Sequence, residues 1–340
     1  MKTLEAVKKI SIYRESLTRA ESAEVFDEIM QGLVPDAITA SFLVAENMKG
    51  VSIEELVGAA LAIRKRANFI NTSAHPAIDT CGTGGDGADT FNISTTAAFV
   101  AAGAGAHVAK HGGRSVSSKC GSADVLAALG VNIEAHPAIM EHCLQENGIA
   151  FLFAQKMHPA FKYANPVRKM LGFRTIFNML GPLVNPAMAT GQLLGVFDAK
   201  LTEVFAQTLL RLGASRALIV HSEDGLDEIG ISCPTRISEL RNGQIKTYEF
   251  RPETLAGKTG NNAEIRGGDP AENAKILRGI LENKIKNSAR DIVLINSAAA
   301  IIAANLADDF FAAYELAQDS LNSGKALEKL EKLIEFTNAK

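Results

Sequence analysis

Three polar segments, far apart in the chain, carry residue types that can do chemistry together. The first is Asp79-Thr80-Cys81-Gly82-Thr83-Gly84-Gly85-Asp86, with three glycines in four positions from Gly82 to Gly85. Glycines so spaced let the backbone turn with positive φ and approach a ligand closely. The amides exposed in such a turn form an anion-binding concavity. Just downstream, Phe91-Asn92-Ile93-Ser94-Thr95 precedes a small-residue helical pattern from Thr96 to Ala104. Its hydroxyls and amides fall at a helix N-terminus, where the helix dipole favours a phosphate. Taken alone, the glycine segment reads equally well as a plain turn followed by a helix cap. It is neither G-x-G-x-x-G with a downstream acid nor a loop ending in Gly-Lys-Ser/Thr, so dinucleotide and ATP binding are poor fits.

The second segment is Lys110-His111-Gly112-Gly113-Arg114-Ser115-Val116-Ser117-Ser118-Lys119-Cys120-Gly121-Ser122. It reads as a loop after a strand at 106–109, too polar to bury without a ligand and too cationic to be only a turn. Cations, hydroxyls and a pliant backbone suit a diphosphate or a phosphate monoester. His111 can act as a general base near neutral pH or simply orient the loop. The third segment is Asp224-Gly225-Leu226-Asp227-Glu228. Adjacent carboxylates after a strand suit Mg2+, a hard cation that sits between carboxylates and substrate phosphates. By itself the segment would read as a solvated acidic turn; the two phosphate-type segments upstream favour the metal. Between them, Arg168 can meet a substrate carboxylate in a bidentate pair or merely decorate a helix surface. His158 reads as part of a pocket wall, because no second ligand is spaced to share a metal with it.

The elements that position these segments follow from periodicity. Thr18 to Glu21 and Ser52 to Glu55 are capping boxes that open apolar stripes of helical spacing. Residues 1–70 therefore read as a helical domain, with 166–185 packing onto it. From Pro76 the pattern changes to short apolar runs at 77–80, 106–109, 149–154, 192–197 and 217–221, alternating with helical stretches such as 201–212. This alternation predicts βαβ units and a mostly parallel central sheet flanked by helices, spanning 71–165 and 186–340. Asn242-Gly243 between two alternating runs predicts a hairpin turn. The fold class is thus α/β with a small N-terminal helical domain. Ligand-binding loops that follow successive strands meet at one end of such a sheet.

Bulk composition narrows the function classes. The chain has 340 residues, 47% hydrophobic and 21% charged, with a net charge of −3 and no long basic run. That argues against a general nucleic-acid binder and an electrostatic membrane anchor. Cys81, Cys120, Cys143 and Cys233 form no C-x-x-C pair, which fits reduced thiols in the cytoplasm better than a disulfide framework or a zinc site. The first residues lack the apolar stretch of a signal peptide, and the apolar run 292–306 contains Asn296, Ser297 and Asn305 and is too short to span a bilayer.

Taken together and in order, the Gly-Thr-Gly-Gly-Asp loop, Asn92 to Thr95, the Lys-His-Gly…Arg-Ser-Val-Ser-Ser run, Arg168, the stretch 174–183 and Asp224 to Glu228 resemble the anthranilate phosphoribosyltransferase family. The resemblance covers nearly the whole chain. It implies a magnesium-dependent enzyme of tryptophan biosynthesis with the nucleoside-phosphorylase-like arrangement of helical and α/β domains, usually a homodimer through the helical domain. It further implies that phosphoribosyl diphosphate is held by Gly82, Gly85, Asp86, Thr90, Asn92, Ile93, Ser94 and Thr95. Lys110, His111, Gly112, Gly113, Arg114, Ser115, Val116, Ser117, Ser118 and Ser122 would close over it. Ser94, Asp227 and Glu228 would serve Mg2+, and Gly82, Gly113 and Arg168 would lie near anthranilate. One position departs: the family's motif carries Asn where this chain has Gly113. Two rivals share the architecture. A pyrimidine nucleoside phosphorylase would not need the 227–228 pair, and a non-catalytic nucleic-acid-binding relative should show a basic surface.

Overall fold

The computed structural model describes residues 1–72, 76–85, 87–115 and 119–339. The chain opens with four helices, α1 (Lys2–Tyr13), α2 (Arg19–Met30), α3 (Asp36–Lys49) and α4 (Ile53–Arg64). Both expected capping boxes are formed: the Thr18 hydroxyl accepts from Glu21 N and the Ser52 hydroxyl from Glu55 N, while each glutamate answers the cap residue's own amide. These bonds satisfy amide groups that a helix start otherwise leaves orphaned. Arg14 ends α1 in the left-handed conformation, turning the chain into α2.

Beyond the bundle lies a seven-stranded sheet among the described residues: β1 (Ile78–Gly82), β2 (Val108–Gly112), β3 (Ile149–Phe153), β4 (Gly191–Gly195), β5 (Arg216–Ser222), β6 (Thr235–Arg241) and β7 (Gln244–Phe250). The order across the sheet is β3-β2-β1-β4-β5-β6-β7, with β1 to β5 parallel and β6 and β7 antiparallel. The strand order reverses between β1 and β4, which makes their carboxyl ends the topological switch point, the usual ligand crevice of an open α/β sheet. Gly82 pairs with Gly195 there. The β6–β7 turn is Asn242-Gly243 with φ of 51° and 75°, as the dipeptide predicts for a tight hairpin.

The two faces of the sheet belong to two cores. Leu193, Leu218, Val220 and Ile237 pack with the buried helix Ser288–Ala303. Their neighbours Leu194, Ala217, Ile219 and Leu240 instead join a cluster that contains Phe26, Phe42 and Leu56 of the bundle and Val167, Ile176 and Phe177 of the middle segment. The two-residue period of a strand sends successive side chains to opposite faces, so one sheet carries both cores. The middle segment fills the seam between bundle and sheet: Phe177 meets Phe26 edge-to-face at 5.5 Å and Phe161 at 5.9 Å.

One expectation about element boundaries is corrected. Lys110 and His111 are not in a loop; they are strand residues of β2, and both are buried. Two polar side chains can occupy a central strand because the neighbouring chain supplies their partners. The helix α5, expected from Thr96, begins at Ile93 and runs to Gly103.

Candidate active site

The switch point is built around Gly82. Here the 223–228 loop crosses the ends of β1 and β4 so tightly that side chains would not fit. A Cβ on Gly82 would lie 2.2 Å from Asp227 Oδ2, and one on Gly195 would lie 1.5 Å from the Asp227 carbonyl oxygen. The glycine loop then turns with Gly84 and Gly85 at φ of 66° and 75°, a region costly for other residues. Thr83 N–H donates to the Gly195 carbonyl at 2.9 Å, and Phe197 N–H donates to Thr83 Oγ1 at 3.1 Å. Gly84 N–H donates to Asp227 Oδ2 at 2.8 Å. Ser94 N–H, in the first turn of α5, donates to Glu228 Oε1 at 3.1 Å. The two acidic residues thus reach both parts of the first phosphate-type segment, Asp227 the glycine loop and Glu228 the start of α5.

Within the 92–95 run, side chains divide. Ile93 and Thr95 are buried in the core, so only their backbone can face a ligand. Ser94 is half-buried at the site. Asn92 is held from two sides: its amide donates to the Cys120 carbonyl at 3.2 Å, and Asn273 Nδ2 donates to Asn92 Oδ1 at 3.0 Å. Thr90 bridges to Arg266 in a short antiparallel contact.

Lys110 rises from the middle of β2 beneath this crevice. It is only 4% exposed. Its ammonium donates to the Thr80 carbonyl and, at 3.3 Å, to Ser94 Oγ. Burial draws its pKa down, opposed by the negative fields of Asp79, Glu228 and Asp227 among others. Asp79, fully buried, accepts from Asn185 Nδ2 at 2.8 Å and from His111 N–H at 3.1 Å; burial nonetheless raises its pKa. A buried cation persists because acceptors and carboxylates surround it.

His111 points to the other side of β2, where Nδ1 lies 3.3 Å from the Gly181 carbonyl. Its ring meets that of His158 edge-on at 5.0 Å. Burial first, and the neighbouring His158 second, push the His111 pKa down to about 3; burial pushes His158 down to about 4. Both rings are neutral at physiological pH, and His111 is too weak a base for efficient proton abstraction there. Among the described residues His111 Nε2 is buried without a hydrogen-bond partner, and the Val184 backbone partly offsets the effect of burial on His158. From His158 an aromatic run continues to Phe161 at 5.6 Å and on to Phe177, over which the Arg168 guanidinium stands at 5.2 Å. The result is a wall of flat, neutral rings with a cation at one end and two buried imidazoles at the other.

The loop after β2 is organised by Asp124, which nothing in the sequence singles out. Its carboxylate pairs with Arg114 at 2.9 Å and accepts from Ser115 N–H and Gly121 N–H, both at 3.0 Å. Ser122 Oγ and Ala123 N–H both donate to the Gly113 carbonyl, at 3.4 and 3.1 Å. Among the described residues a Cβ on Gly113 would meet only Ala154 Cβ, at 3.9 Å. Asp86, Val116, Ser117 and Ser118 lie outside the described residues. Arg174, the first residue of the 174–183 stretch, reaches the glycine loop, donating to the Gly85 carbonyl and stacking on Phe197 at 4.2 Å.

The donor set near the crevice can be tested against the expected ion. Among the described residues no cluster of three His, Cys, Asp or Glu could cage a metal. Asp227, Glu228 and the Ser94 hydroxyl are all hard oxygen donors beside a phosphate-type turn. Such an incomplete oxygen set fits Mg2+, which keeps several waters and completes its shell from substrate phosphates. It does not suit zinc, which prefers a closed set of nitrogen or sulfur ligands.

A helical bundle set against an α/β sheet, with an anion crevice at the switch point, defines a class. Residues 5–67 match the glycosyl transferase family's helical bundle domain, and residues 74–327 match its a/b domain. Within that class the chain is 53% identical to the anthranilate phosphoribosyltransferase of Desulfosudis oleivorans, over 96% of this chain and 97% of the relative. It is 50% identical to that of Desulfatibacillum aliphaticivorans, over 98% of each. The crystal structure of the Thermus thermophilus enzyme superposes with a TM-score of 0.93 at 40% identity, covering 98% of this chain and 99% of that one. The Saccharomyces cerevisiae enzyme, solved in complex with PRPP and Mg, superposes with a TM-score of 0.90 at 26% identity, covering 98% and 97%. The chain belongs to the anthranilate phosphoribosyltransferase family.

Proposed function

We propose that this chain transfers the 5-phosphoribosyl group from phosphoribosyl diphosphate to the amine of anthranilate, releasing diphosphate, as a Mg2+-dependent step of tryptophan biosynthesis in the cytoplasm. The observation that carries the reading is the pair of carboxylate contacts, Asp227 to Gly84 N–H at 2.8 Å and Glu228 to Ser94 N–H at 3.1 Å. They join an acidic, metal-competent loop to the glycine loop and to the start of α5 at one point of the sheet.

The amides of the glycine loop and the start of α5 would receive the donor's phosphates, with Asn92 and Thr90 shaping the rim. Lys110, fixed below by Thr80 and Ser94, supplies positive charge that needs no reorganisation when the diphosphate leaves. When bound, Mg2+ would neutralise developing charge on the departing diphosphate; Asp227, Glu228 and Ser94 are the residues placed to hold it. The sugar C1–O bond breaks, a C1–N bond forms from the opposite face, and the amine then loses a proton. The arylamine attacks without prior deprotonation, and the low basicity of His111 assigns it no such role. Anthranilate, a flat ring with a carboxylate, matches the His111–His158–Phe161–Phe177 wall and the Arg168 guanidinium. Most of the rate then comes from positioning and charge stabilisation.

A homodimer through the helical domain is supported by a 500 Å³ cleft between α1 and α3, lined by Val7, Ile10, Ala40, Val44, Ala45 and Met48 among others. Met48 is 72% exposed there, an apolar surface suited to a second copy. No helix among the described residues is long and apolar enough to cross a membrane.

The decisive assay follows loss of anthranilate fluorescence with phosphoribosyl diphosphate and Mg2+. Asp227→Asn with Glu228→Gln is expected to abolish magnesium-dependent turnover; unchanged activity in that double variant refutes the metal assignment.

A further inference from the structure

The glycine loop is anchored at four points, and they are not equivalent. Thr83 is tied to β4 and its exit through the Gly195 carbonyl and Phe197 N–H. Gly84 is tied to Asp227. Gly85 is tied to Arg174, whose guanidinium lies 4.2 Å over the Phe197 ring. Under the function proposed above, Asp227 is drawn to a metal when the donor binds, so its hold on Gly84 is the one anchor that substrate binding competes for. Among the described residues, the contact that then restrains the loop beyond Thr83 is that of Arg174.

Gly85 has the backbone freedom of a glycine at φ 75°, and its carbonyl is a dipole that would oppose an oxyanion if it swung into the crevice. A planar guanidinium can stack on a ring and donate in its own plane at the same time, which an ammonium cannot. The base of Arg174 is itself fixed. Two and three residues on, Ile176 and Phe177 are buried in the bundle-facing core, and Phe177 packs on Phe26 of α2. The same segment carries Arg168. Arg174 is therefore the described side chain that connects the acceptor-side segment to the donor-side loop.

We propose that Arg174, clamped on Phe197, is a positioning residue for the phosphoribosyl donor: it holds the Gly85 carbonyl so that the glycine loop keeps its anion-binding shape when Asp227 is given over to the metal. This rests on the donor assignment made above. The rival role is a direct cationic contact to the diphosphate, and the stacking partner separates the two, since Phe197 carries no charge.

The test is calorimetric titration of phosphoribosyl diphosphate with Mg2+ into the wild-type chain and into Arg174→Gln, Arg174→Lys and Phe197→Leu, with no acceptor present. All three variants are expected to bind the donor about tenfold more weakly, the size of one charge-assisted hydrogen bond. In steady-state assays they should raise the donor KM while leaving kcat largely intact at saturation, with unchanged thermal midpoints in the two Arg174 variants because Arg174 is exposed. Wild-type affinity in Phe197→Leu, or restoration of affinity by Arg174→Lys, overturns the positioning role in favour of a plain charge contact. Failure of the wild-type chain to bind the donor at all would instead overturn the function on which the inference rests.

Discussion

Gly82→Ala isolates the geometry of the acidic loop from its chemistry. Gly82 ends β1 in a strand conformation, so alanine adds no backbone strain. Its new Cβ would stand 2.2 Å from Asp227 Oδ2 and 3.0 Å from Asp227 Cγ. Ordinary contact begins near 3.4 Å, so the carboxylate must move by about 1 Å or more. The Asp227 main chain cannot follow, because its carbonyl is packed against Gly195 on the other side. The side chain must therefore rotate, giving up its bond to Gly84 N–H and its place beside Glu228. Misplacement of about 1 Å costs roughly 10²-fold in rate, so kcat/KM for the donor should fall by about that factor while the unfolding transition stays close to wild type. Initial rates across a Mg2+ titration, alongside circular-dichroism melting, read both quantities. A cycle with Asp227→Asn locates the cause: if alanine acts through Asp227, the double variant is no worse than the poorer single variant. Wild-type magnesium dependence in Gly82→Ala, or full additivity in the cycle, would refute the reasoning.

Two further expectations concern the helical domain. Glu46 of α3 is 1% exposed with both carboxylate oxygens unpartnered among the described residues, and burial, reinforced by the Glu55 charge, holds its pKa well above 4.5. A carboxyl whose folded pKa lies above its unfolded value supports the fold fully below the unfolded pKa and loses that support as pH rises through the folded one. Glu46→Met should thus stabilise the chain by about 1–3 kcal/mol at pH 8 and by less at pH 4.5, measured by urea unfolding; equal effects at both pH values would contradict a neutral buried carboxyl. Val44→Asp places a charge in the α1–α3 cleft and should shift the chain from dimer to monomer in light scattering, with the α/β sheet intact by circular dichroism.

How much of this was legible beforehand depended on whether a residue's role is local. The glycine loop, the acidic pair and the capping boxes declare themselves by type and short-range spacing, and the alternation of short apolar runs with helical ones announces a parallel sheet. Lys110 and His111 misled, because two polar residues beside glycines look like a loop. Their burial in β2 is permitted only by acceptors and carboxylates that arrive from 80, 94 and 79, plus the carbonyl of Gly181. The roles of Asp124 and Arg174 are not local either: an acid in the first turn of a helix and an arginine on a surface segment have no distinguishing neighbours in sequence. His158 read as pocket wall, but its partner His111 lies 47 positions away and only the fold brings the rings to 5.0 Å. The continuity of the bundle core with one face of the sheet likewise depends on packing between residues as distant as Phe26 and Ile219.

The central claim is that the glycine loop and the start of α5 grip one sugar diphosphate beside a cation held by carboxylates of the distant 224–228 loop. A crystal structure of the chain with phosphoribosyl diphosphate and Mg2+ tests it most directly. The account predicts the diphosphate between the glycine loop and the first turn of α5, with the ion coordinated by Asp227 and Glu228. Density for the diphosphate away from both segments, or an ion bound without either carboxylate, would contradict it.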